Sequence, residues 1–92
     1  MTLQPQQTPL FRRGYRLQWE AVQNCHVILY PEGMATLNES AAAILQRVDG
    51  KRTLQDIINE LNASFPDTPG LAEDVMEFFQ SAYEQKWVIF HD

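Results

Sequence analysis

The hydrophobic period of this chain changes at Asn38, from two residues to about 3.6, and that change divides it into a strand half and a helical half. Before it, Tyr15, Leu17 and Trp19 alternate with Arg16 and Gln18 over residues 13–20, the pattern of a strand with one buried face. A second strand falls within 21–30, with Cys25, Val27 and Leu29 on one face and His26, Ile28 and Tyr30 on the other. Both faces are partly apolar, so this strand is expected at the centre of the sheet. Pro31-Glu32-Gly33 is a turn, because proline presets its φ and glycine accepts a positive one. Met34, Ala35, Thr36 and Leu37 then make a short third strand, and the three read as an antiparallel meander.

Asn38 is a good N-cap, since its side chain can accept from the free amides of a first turn. Ala41, Ile44, Leu45 and Val48 follow as one helical stripe, with Gly50 placed to end the helix in a left-handed conformation. A second helix opens at Thr53 with Asp56 three residues later, a capping-box spacing. Its stripe is Leu54, Ile57, Ile58, Leu61 and Phe65, and Pro66 stops it. The third helix, over about residues 70–86, carries two apolar stripes: Leu71, Val75, Phe78 and Ala82, and beside it Ala72, Met76, Phe79 and Tyr83. Both stripes can be core, or part of the second can line a groove, and periodicity leaves the two readings open. Residues 87–90 form a short apolar end, read as a final strand.

A chain of 92 residues suits one domain, expected over 9–92 behind a loose polar tail at 1–8. No apolar run approaches the roughly 20 residues that span a bilayer, and the first residues lack the basic-then-apolar order of a secretory signal. The lone Cys25 cannot close an internal disulfide, which fits a reducing cytoplasm. Charge is uneven. Residues 1–30 hold Arg12, Arg13 and Arg16 against Glu20, whereas residues 53–92 hold eight acids against Lys86. The helical half therefore repels a phosphate backbone and attracts a basic peptide.

Cys25 and His26 are neighbours on a strand and point to opposite faces, so they cannot act together. The sequence contains no metal-ligand spacing, glycine-rich phosphate loop or nucleophile elbow, so neither a cofactor nor an enzyme activity is expected. Three strands and three helices suit a winged helix, which makes a DNA-binding or regulatory module the alternative reading. Against it, the third helix presents Glu73, Glu77 and Glu84 where a recognition helix needs donors to bases. What remains is a strand edge with the small residues Gly33, Ala35 and Thr36, where an extended peptide or a second copy of the chain can pair.

The runs Pro9-Leu10, Arg13-Gly14-Tyr15-Arg16-Leu17 and Leu29-Tyr30-Pro31-Glu32-Gly33 resemble the start of the PqqD family of pyrroloquinoline quinone biosynthesis. Leu37-Asn38, Ala42-Ala43-Ile44-Leu45, Asp49-Gly50, Thr53 and a last helix entering through Leu71, Asp74 and Val75 continue the resemblance over about residues 9–88. Val48 is a departure, where relatives often carry cysteine. The resemblance implies an α+β, winged-helix-like domain, with a three-stranded antiparallel sheet followed by three helices. It implies a non-catalytic chaperone that binds the precursor peptide PqqA and presents it to the radical SAM enzyme PqqE. Carried over by position, Gly33, Met34, Ala35, Thr36 and Leu37 pair with the peptide backbone. Val75, Met76, Phe79 and Tyr83 supply apolar contacts, while Asp74 and Glu77 attract basic peptide residues. A homodimer formed through the same edge stays open.

Overall fold

A computed structural model describes residues 2–91. The expected meander is present as β2 (Arg16–Glu20), β3 (Cys25–Tyr30) and β4 (Gly33–Thr36), in the order β2-β3-β4 with β3 central. Three helices follow: α1 (Glu39–Leu45), α2 (Leu54–Ser64) and α3 (Leu71–Glu84). A second sheet joins the two ends of the chain, β1 (Thr8–Phe11) pairing antiparallel with β5 (Val88–His91). The strand expected near the C-terminus is therefore real, but its partner β1 had no alternation to announce it. The architecture is α+β with five strands in two sheets rather than three in one.

The helix starts follow from their caps. Asn38 Oδ1 accepts from the Ala41 amide at 2.8 Å, and Thr53 and Asp56 exchange both bonds of a capping box at 3.0 and 3.1 Å. Gly50 does not end α1, which stops at Leu45 with Gln46 as its cap. Its φ of 76° is left-handed, so the position favours glycine, and a Cβ there would press on the end of the Leu10 side chain at 2.8 Å. Beside it, Glu60 ties the α1–α2 connection together: Arg52 Nε donates to it at 2.6 Å and Arg47 Nε lies 3.4 Å away.

The core is a single cluster in which Ile28 meets Ile44 and Leu45 of α1, Leu54, Ile57 and Leu61 of α2, and Val75, Phe79 and Ala82 of α3. Of the tail expected over 1–8, the described residues are built into this body. The carbonyls of Pro5 and Gln7 accept from the Gln55 and Leu54 amides at 2.9 Å, satisfying free donors at the start of α2. Leu3 packs against the core and Thr8 is buried at the head of β1. Backbone carbonyls make the two hydrogen bonds, which is why residue types did not reveal them. Met1 lies outside the described residues.

Candidate functional site

Among the described residues β4 has β3 on one side and no strand on the other, so it is an edge strand. Antiparallel pairs alternate between hydrogen-bonded and non-hydrogen-bonded, and the Leu37 amide donates to the His26 carbonyl at 3.0 Å. With Ile28 opposite Ala35 and Tyr30 opposite Gly33, that bond sets the parity of the strand. The N–H and C=O groups of Gly33, Ala35 and Leu37 turn inward to β3. Those of Met34 and Thr36 turn outward. Only these two of the five expected pairing residues offer backbone groups at the open edge. Their side chains are also exposed, whereas Leu37 belongs to the core.

Where β4 runs into α1, a cavity of about 270 Å³ opens between the helices. Glu39, Ser40, Ala43 and Ile44 line it from α1, Leu61 and Phe65 from the end of α2, and Leu71, Asp74 and Val75 from α3. Its walls are mostly aliphatic, with the exposed carboxylates Glu39 and Asp74 among the lining groups. Phe65 was expected on the core stripe of α2 but is its C-cap, half exposed at this cavity.

The residues expected on α3 are divided by the structure. Asp74 and Val75 face the cavity. Phe79 is fully buried and has no surface to offer a peptide. Met76 and Glu77 line clefts on the other side of α3, together with Leu3, Pro5 and Ile58. Tyr83 stacks at a tilt against Phe90 of β5, ring centres 5.9 Å apart. The reason is angular: the buried line runs Val75, Phe79, Ala82, drawn from both expected stripes, and Met76 is turned about 100° away from Val75. Ser40, Ala43 and Phe65 were missed as site residues. The signal available was a pair of small residues, three apart, off the core stripe of α1.

An α+β domain with an open strand edge and an apolar cavity between the helices that follow is a fold of the kind that takes extended peptides. Residues 25–88 match the family model described as coenzyme PQQ synthesis protein D (PqqD), and the chain belongs to that family. It is 56% identical over 92 residues to the PqqA binding protein of Rahnella aquatilis, covering 100% of this chain and 97% of the relative. To the PqqA binding protein of Klebsiella pneumoniae (strain 342) it is 64% identical over 78 residues, 85% of each chain. The solution NMR structure of the PqqD truncation of Methylobacterium extorquens PqqCD superposes with a TM-score of 0.73. That match has 29% identity and covers 88% of this chain and 87% of the other. Its description is of a functional and stand-alone recognition element for ribosomally synthesized and post-translationally modified peptides.

Proposed function

We propose that this chain is a peptide chaperone of pyrroloquinoline quinone biosynthesis that binds the precursor peptide PqqA and presents it to the radical SAM enzyme PqqE. The observation that carries this reading is the outward pair of Met34 and Thr36 backbones, followed three residues on by Glu39 at the mouth of the interhelical cavity. A peptide strand added at that edge gains main-chain hydrogen bonds at two residues, which set its register. Alternate side chains then point toward the helices, where the half-buried Ala43 and Leu71 give an apolar seat over the buried Val75. Asp74 and Glu39 stand beside that seat and favour a basic residue in the neighbouring peptide position. Phe79, Met76, Glu77 and Tyr83 support the groove from within or from behind, and do not line it.

The test is an amide-shift titration of labelled protein with PqqA. The largest changes are expected at residues 33–37, 39–43 and 71–75. Changes concentrated at Met76, Glu77 and the 2–7 segment, with the β4 edge silent, would put the peptide on the wrong side of α3.

A further inference from the structure

The runs Arg13-Gly14-Tyr15-Arg16-Leu17 and Leu29-Tyr30-Pro31-Glu32-Gly33 have no part in the groove just described, yet the fold brings them together. Arg16 pairs with Leu29 across β2 and β3, and the Tyr15 and Tyr30 rings stack with centres 5.4 Å apart and planes 14° from parallel. Gly14 makes the turn beside Pro31 with a left-handed φ of 88°, which a glycine adopts without strain. The result is a shallow cleft lined by Gly14, Tyr15, Arg16, Leu29, Tyr30 and Pro31.

Positive charge gathers at this cleft. Arg16 lines it, Arg12 and Arg13 are exposed just before Gly14 in the chain, and the Arg12 amide donates to the Trp87 carbonyl at 3.0 Å, which brings the backbone of Lys86 alongside. Four of the chain's seven Lys and Arg residues therefore lie in this region, and among the described residues none of the four makes an ion pair. The acids closest in sequence, Glu20, Glu32 and Glu84, number three against these four cations. Sequence separation hid this, since Lys86 is distant from the arginines and sits in the acidic half.

We propose that this cationic corner is a second docking surface, which receives an acidic patch on the enzyme that takes over the bound peptide. The inference rests on the chaperone reading. The cavity opens where β4 ends, whereas Pro31 belongs to the turn where β4 begins. A peptide paired along β4 spans from one to the other, so the segment beyond Gly33 leaves the domain at the corner. A protein docked there stands where that segment emerges. Four cations are fewer than the roughly 6–10 phosphate contacts of a duplex binder, and the acidic helical half repels a polyanion. The stacked tyrosines and proline instead suit the apolar centre of a protein contact.

The experiment measures the affinity of PqqE for the intact chain and for R12E/R13E/R16E, at low and moderate salt, with PqqA titrated against each. R12Q/R13Q/R16Q is the milder variant. Charge reversal is expected to weaken enzyme binding at least about tenfold, neutralisation less, and added salt to weaken the wild type most. PqqA affinity is expected to stay unchanged, which also reports that the variants fold. Equal enzyme binding by all three chains, with PqqA still bound, overturns the corner and leaves the chaperone reading intact. A wild-type chain that binds PqqA but not the enzyme also overturns it. A wild-type chain that fails to bind PqqA removes the reading beneath it. A duplex-DNA complex abolished by the same substitutions would overturn the corner in favour of nucleic acid.

Discussion

The two sides of α3 are similar in composition and opposite in circumstance. On one side Leu71 and Asp74 line a cavity with α1; on the other Ala72, Met76 and Glu77 line clefts with the chain's own residues 2–5. Between them Phe79 and Ala82 are sealed in the core. An apolar stripe on a helix is therefore not a binding face by virtue of its residues. What the rest of the chain places beside it matters as much, and here the N-terminal segment flanks one side only.

The largest effect is expected along the sealed line that both sides share. Phe79→Ala should cost about 3–5 kcal/mol of stability, read by denaturant unfolding, because a fully buried ring is replaced by a cavity. A loss under about 1 kcal/mol would mean that α3 packs less tightly than its burial implies. Next comes removal of residues 2–6. It takes away the Pro5 acceptor of the Gln55 amide and the packing of Leu3, and should cost about 1–3 kcal/mol. Amide exchange at the first turn of α2 should quicken, while a tail without structural weight would leave both readouts unchanged.

A matched pair of substitutions then separates the two sides by function. Ala43→Leu pushes bulk into the cavity and should weaken PqqA binding at least about tenfold, or about 1.4 kcal/mol. Ala72→Leu adds the same bulk on the other side of α3 and should leave PqqA affinity as it was. The reverse ranking would exchange the roles assigned to the two sides. The smallest effect lies away from both. The backbone amides of Arg52 and Lys51, and then the Arg52 charge, hold the Asp49 carboxyl below its usual pKa. Because the folded value is depressed, the stabilisation is present at neutral pH and is lost as pH falls through the folded pKa. Asp49→Asn should lower the melting temperature slightly at pH 7, and the gap should close below about pH 4.

Much of this fold is legible in the residues, and the limits have physical causes. The period change at Asn38, the Thr53–Asp56 box and the central place of β3 are local patterns, and each appears as read. β1 was not legible: Thr8-Pro9-Leu10-Phe11 has no alternation, and its pairing with β5 is a contact between the chain's ends. Periodicity described α3 as two stripes, yet the buried line took one residue in turn from each, since burial depends on what packs against the helix. The edge itself was read correctly as available, but not which of its amides is free. That depends on register, and the Leu37–His26 bond assigns the Ala35 amide to the sheet and the Thr36 amide to the outside.

That parity supplies the most direct test of strand pairing at the β4 edge. A proline at an outward position of an edge strand removes a donor that the sheet does not use, whereas one at an inward position breaks the ladder. The measurement is PqqA affinity of Thr36→Pro, with its melting temperature taken alongside and Ala35→Pro as the inward control. The account predicts a folded Thr36→Pro chain that binds PqqA at least about tenfold more weakly, and an Ala35→Pro chain that is destabilised first. A folded Thr36→Pro chain that binds PqqA like the wild type would contradict it.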